Sequence, residues 1–211
     1  MRNHALCFAP VLLLAACSAA TKAPSTPPPA AASASTAPTA APVFPESWRG
    51  HYAGQATLHV PQDKLKDFWM ELSIEPLANA SPLSYTWQII YAESQADAAD
   101  ASSKTRQVRE YKLVEADAGR GRFDIDEGDG LVIPCVYIGG ELWSFFDVGG
   151  TSLAAVYRKA ASGSIEVEII THPSEPASVL PSTQAKGIRA WLPASMQQAT
   201  LRRVSAEPGQ K

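Results

Sequence analysis

From residue 47 onward the chain alternates apolar and polar side chains, and glycine pairs or Asp-Gly steps break the alternation at short intervals. Lys66 to Pro76 puts Phe68, Met70, Leu72 and Ile74 on one side and Trp69, Glu71, Ser73 and Glu75 on the other. A period of two is the signature of a strand with one buried face. Tyr85, Trp87, Ile89 and Tyr91 make the next stripe, and Ile165, Val167 and Ile169 alternate with Glu166 and Glu168. Asp129-Gly130, Gly139-Gly140 and Gly149-Gly150 separate consecutive runs. Such pairs supply the positive φ that tight hairpin turns need.

Counting Arg49–Val60 at the start and Gln198–Val204 at the end, the pattern predicts about ten antiparallel strands in sequential hairpins. A helical pattern is confined to a short candidate at Pro193–Gln198. So many strands would leave exposed edges, and closure removes them. The expected fold is all-β, an up-and-down antiparallel meander closing into a barrel of about 8–10 strands, with first and last strands adjacent. An outer-membrane barrel would need an apolar exterior. Here Glu71, Glu75, Glu166 and Glu168 fall on the outward side and suit water.

The first residues have another character. Arg2 precedes the apolar run Ala5–Leu14, and small residues follow. That is the layout of a secretory signal. Leu14-Ala15-Ala16-Cys17 resembles the lipobox of bacterial lipoproteins. The resemblance implies cleavage before Cys17 and a diacylglycerol on its thiol. Palmitate-type acyl chains would anchor the protein in the membrane, since two or three chains hold stably at about 0.8 kcal/mol per buried CH₂. Ser18, where an Asp commonly signals inner-membrane retention in that family, implies the periplasmic face of the outer membrane. Ser18 to Pro45 is rich in Ala, Ser, Thr and Pro, with Lys22 as its single charge. A stretch of this composition is expected to remain a disordered tether. The expected organisation is signal 1–16, lipidated Cys17 and tether 17–45, barrel 46–205 and tail 206–211.

The segment Trp48-Arg49-Gly50-His51-Tyr52-Ala53-Gly54, followed by the meander, resembles calycin-type barrels such as lipocalins. That resemblance implies a barrel interior able to hold a small apolar ligand. The barrel lipoproteins that inhibit lysozyme are loosely similar too, and they imply a protein-interaction or inhibitor module as the alternative. The large inward side chains nearest a central ligand would be Phe68, Met70, Leu72, Tyr85, Trp87, Tyr91, Phe146 and Tyr157. Their bulk argues against a large void. Ala155 between Leu153 and Tyr157, and Ser144 between Leu142 and Phe146, leave room on neighbouring strands. A small cavity and a filled interior both remain open at this point.

Nothing in the sequence carries a catalytic motif: Gly-x-Ser-x-Gly, a P-loop and His-Glu-x-x-His are all missing. The expectation is a non-enzymatic protein without cofactor or metal. With 18 Lys+Arg against 21 Asp+Glu, the net charge of −3 argues against nucleic acid. Cys7 lies in the signal and Cys17 is the lipid site. Cys135 therefore stands alone in the barrel, expected as a small buried hydrophobe on a strand. Asp124-Ile-Asp126-Glu127-Gly128-Asp129-Gly130 superficially suggests a calcium loop, but it departs from the EF-hand pattern at its fifth, sixth and twelfth positions and reads as a polar hairpin tip. His51 and His59 share a strand face and lack further ligands. Leu131–Val148 is apolar on both faces. The expected cover is Ile188–Met196 with Trp191, and the alternative is a patch for an envelope protein partner.

Overall fold

The computed structural model describes residues 43–61, 63–180 and 187–204. The signal, Cys17, most of the expected tether and the 206–211 tail lie outside these residues.

Among the described residues twelve strands follow in chain order: β1 Gly50–Val60, β2 Asp63–Ile74, β3 Ser84–Ala92, β4 Gln107–Asp117, β5 Arg122–Asp126, β6 Val132–Ile138, β7 Glu141–Val148, β8 Thr151–Lys159, β9 Ile165–Pro173, β10 Ser178–Leu180, β11 Ile188–Ala190 and β12 Ser195–Arg203. Ten of them form a closed antiparallel barrel in the order β1-β12-β9-β8-β7-β6-β5-β4-β3-β2. The first and last strands are neighbours, with Tyr52 opposite Arg203 and Ala56 opposite Ala199. β10 and β11 pair only with each other, as a small hairpin between β9 and β12.

Inward positions follow the period-two pattern. Met70, Leu72, Ile74, Trp87, Leu113, Ile165 and Leu201 are fully buried. The Gly139-Gly140 and Gly149-Gly150 pairs all have positive φ, between 57° and 89°, and close the β6–β7 and β7–β8 hairpins. Gly54 answers a different need. A Cβ there would sit 2.4 Å from the Thr200 carbonyl oxygen of β12, so the β1–β12 seam closes only over glycine.

One end of the barrel is plugged. The 3₁₀ turn Glu46–Trp48 folds under the strands, with Phe44 and Trp48 buried. Phe44 stacks on Tyr137 at 4.3 Å and meets Trp48 and Phe123 edge-on at 4.8 and 4.9 Å. Tyr52 ties the turn down by donating to the Trp48 carbonyl at 2.9 Å, and Lys159 donates to the Ser47 carbonyl. Phe44 and Pro45, assigned from composition to the tether, are therefore part of the core.

Three local expectations are corrected. Pro193–Gln198 is no helix: its second half opens β12, where Gln197 and Gln198 pair with Ile169 and Glu168. Sheet partners on both sides outweigh a short helical preference. The one α-helix among the described residues is α1, Gln95–Ala99, capped by Ser94 accepting from the Asp97 amide at 3.2 Å. Ile188–Met196 does not cover the apolar exterior. Ile188 and Leu192 are themselves exposed, and the Trp191 indole donates to the Ser174 carbonyl at 3.1 Å, beyond the end of β9. Ile138 and Phe145 are accordingly 62% and 68% exposed.

Candidate functional site

The plugged end is packed solid, and the opposite end is open. There the ends of β3, β5 and β7 meet the starts of β4, β6 and β8 around a cavity of about 570 Å³. Its floor contains Trp87, Ile125, Ile133 and Tyr157, and its walls include Ile89, Phe146, Leu153 and Ile169. The space comes from two small residues. Ser144 and Ala155 stand directly opposite each other on β7 and β8, and both line the cavity. Register, which pairs these two positions, turns two separate gaps into one.

Four of the eight expected ligand residues line this cavity: Trp87, Tyr91, Phe146 and Tyr157. The other four do not. Met70, Leu72 and Tyr85 are buried in the packed layers of the core. Tyr85 turns its hydroxyl to Glu46 at the plugged end, 3.3 Å away, and Phe68 packs beside Tyr91 with centroids 6.0 Å apart. An inward stripe runs the whole barrel length, so only its members near the open end reach the cavity. Tyr111, Arg109 and Glu127 are lining residues the stripes missed. Tyr111 sits opposite Trp87 across β3 and β4, and Arg109 opposite Ile89. Extending the Trp87 stripe across the neighbouring strand would have found both.

The cavity is not uniformly apolar. Burial pushes the Tyr157 phenol well above its ordinary value, with the Tyr91 phenol and the Cys135 thiol adding to the effect. Burial raises Tyr91 too, held back by the Gln197 side chain beside it. Tyr111 is pushed up to about 12 by burial and then by the Glu127 carboxylate. These three phenols lie close enough to perturb one another. Trp87 meets Tyr157 edge-on, with centroids 5.0 Å apart. Its Nε1–H is buried and makes no hydrogen bond. It is the one buried side-chain N or O without a partner among the described residues. Charge is confined to the rim, where Arg109 and Asp147 are exposed and Glu127 half-buried.

The other candidate motifs resolve into structure. Asp126 and Asp129 accept from the Gly128 and Leu131 amides at 2.8 and 3.3 Å, which closes the β5–β6 hairpin. His51 bonds Ser73 at 2.8 Å and lies 3.4 Å from Glu71. His59 is eight residues along β1, about 26 Å away at strand rise. Among the described residues no group of three or more His, Cys, Asp and Glu could hold a metal. Cys135 is buried and free, with its thiol pushed up to about 12 by burial.

The chain is thus a closed antiparallel ten-stranded barrel, plugged at one end and with a cavity toward the other. No protein-family model matches it, and no curated protein matches it in sequence. In structure it is similar to the S-type phycobiliprotein lyase of Guillardia theta, with a TM-score of 0.53 over 77% of this chain and 91% of that one. The two are 10% identical, so the likeness shows the fold alone.

Proposed function

We propose that this chain is a lipid-anchored cell-envelope protein that holds a small, largely apolar ligand in the open end of its barrel and performs no chemistry on it. The observation that carries the reading is the 570 Å³ cavity, which lies within the roughly 300–1,000 Å³ of small-molecule sites. Its lining is mainly aliphatic and aromatic, with a few phenols and a charged rim, which is the composition such sites use. The binding half is tested by titrating the chain from Ser18 to Lys211 with palmitate or an apolar dye while following tryptophan emission. A saturable change is expected, and Ala155→Leu, which fills the gap beside Ser144, should abolish it. A stable Ala155→Leu protein that still binds would place the ligand elsewhere.

The non-enzymatic part is supported by the chemistry of the groups near the cavity. The single thiol among the described residues, Cys135, is buried and held protonated, and a thiolate is what a cysteine nucleophile needs. The anchoring part rests on the lipobox resemblance at Leu14–Cys17, and Ser18 after it supports the periplasmic face of the outer membrane as the site of attachment. Mass spectrometry of the N-terminal peptide should find an acylated Cys17, and Cys17→Ser should leave the precursor uncleaved.

A second reading has an observation of its own. On the barrel exterior Phe145 stacks on Trp143 at 5.9 Å, and Val136 stands opposite Trp143. With Ile138 they form an exposed apolar strip of the kind that marks protein contacts. An envelope partner docking there would be lost in Phe145→Ser, whereas cavity binding would be unchanged.

A further inference from the structure

The polar groups at the cavity floor narrow the ligand. The Trp87 Nε1–H is fully buried and unpaired, and the Tyr157 ring packs edge-on against the indole with centroids 5.0 Å apart. A phenol oxygen can accept one hydrogen bond while its O–H donates another. Trp87 and Tyr157 both line the cavity, so the indole N–H and the phenol lie side by side at the space a ligand would fill. Resting on the binding reading above, we propose that the ligand is a flat, uncharged molecule with a carbonyl-type acceptor. The acceptor takes its hydrogen bond from Tyr157, whose oxygen in turn takes the Trp87 N–H.

Three observations converge on this class. An acceptor at the floor would polarise the Tyr157 hydroxyl and so favour the Trp87 bond, since hydrogen bonds in a chain strengthen one another. A hydrocarbon in the same place would leave both donors dry, and sites built around a polar group reject analogues that lack its partner. The charged groups Arg109, Asp147 and Glu127 are all at the rim, and an ionised group carried to the floor would be buried without a counter-charge. The rings of Trp87, Tyr111, Phe146 and Tyr157 provide aromatic surfaces around the space, which favours a planar aromatic partner through stacked and edge-on contacts.

The test compares two molecules of nearly the same shape, 9-fluorenone and fluorene, which differ by one carbonyl oxygen, with palmitate as a third arm. The protein is the chain from Ser18 to Lys211, which holds every residue of the described core. Affinities are measured by titration, and the Trp87 indole N–H resonance is followed by NMR. Fluorenone is expected to bind at least about tenfold tighter than fluorene and to shift the Trp87 N–H resonance. In Tyr157→Phe, which keeps the ring and loses the hydroxyl, the preference should fall to near unity. Equal binding of fluorenone and fluorene by the unmutated protein overturns the acceptor class and leaves the cavity reading intact. Tightest binding by palmitate, lost in Arg109→Ala, overturns it in favour of a fatty acid with its head at the rim. No saturable response to any of the three overturns the cavity reading itself. The first comparison needs no variant, so a Tyr157→Phe protein that fails to fold does not weaken it.

Discussion

Gly54 and Cys135 show how much can depend on one side chain in a closed sheet. At Gly54 the Thr200 carbonyl leaves no space for a Cβ. The offending atom is backbone on a strand held from both sides, so it cannot swing away. Gly54→Ala should therefore cost about 1–3 kcal/mol, the range for overpacking, read as a lower urea midpoint with an unchanged slope. Cys135 faces the core between Phe123 on β5 and Ser144 on β7. Its thiol should resist alkylation in the native protein and react once denatured. Cys135→Ser should lose roughly 1–3 kcal/mol, because a hydroxyl costs more to bury than a thiol even with the Ile133 carbonyl, the thiol's acceptor at 3.4 Å, within reach. Fast labelling of the native protein would show that the thiol is accessible and reopen a nucleophilic role. That Cys135 would be buried was legible from its apolar neighbours. Which residues would oppose it was not, because cross-strand register depends on the turns of two separate hairpins.

Among the elements, the short N-terminal turn matters more than its length suggests. Phe44 touches Trp48, Phe123 and Tyr137, and aromatic pairs contribute about 0.5–1.5 kcal/mol each beyond area burial. A chain beginning at Glu46 should thus melt well below one beginning at Ser18, and Phe44→Ala should reproduce about 3–5 kcal/mol of that loss. Composition assigned Phe44 to the tether because one aromatic after a long Ala/Pro stretch carries no periodic signal. Only the barrel end that it plugs, between Trp48, Phe123 and Tyr137, gives it a place to bury. The same blindness to tertiary partners explains Ile188–Met196. Its apolar residues suggested a cover, but β10 and β11 pair with each other, and the chain re-enters the barrel through β12.

For the whole molecule, buried phenols make stability depend on pH at the alkaline end. Tyr157, Tyr91, Tyr111, Tyr85 and Tyr52 are all raised in the folded barrel, chiefly by burial. A phenol with a raised folded pKa stays protonated after its unfolded counterpart has ionised. Its contribution is complete below the unfolded value near 10 and is lost as pH rises through the folded value. For Tyr111 that window runs from about 10 to about 12. Thermal midpoints should fall steadily above pH 10, and Tyr111→Phe should flatten the decline. A profile level up to pH 12 would show that the phenols are hydrated. A cavity ligand should add stability that grows with the logarithm of its concentration over Kd, about 2.7 kcal/mol at one hundred times its Kd, and Ala155→Leu should remove the accompanying rise in midpoint.

What the sequence determined by itself is what local chemistry can encode. The period-two stripes set which side chains face inward, the Gly-Gly and Asp-Gly steps set the hairpins, and ten sequential hairpin-linked strands with edges to hide imply closure. Each of these depends on neighbours within a few residues. The tertiary structure decided everything that depends on which strands stand side by side and at what height. It brought Ser144 opposite Ala155 to open the cavity, and set Tyr111 and Arg109 beside the Trp87 stripe. It sank Met70, Leu72 and Tyr85 into the filled layers and drew Phe44 in as the plug. The physical reason is that a stripe fixes a face but not a depth. Depth in a barrel comes from register and closure, and both belong to the sheet as a whole.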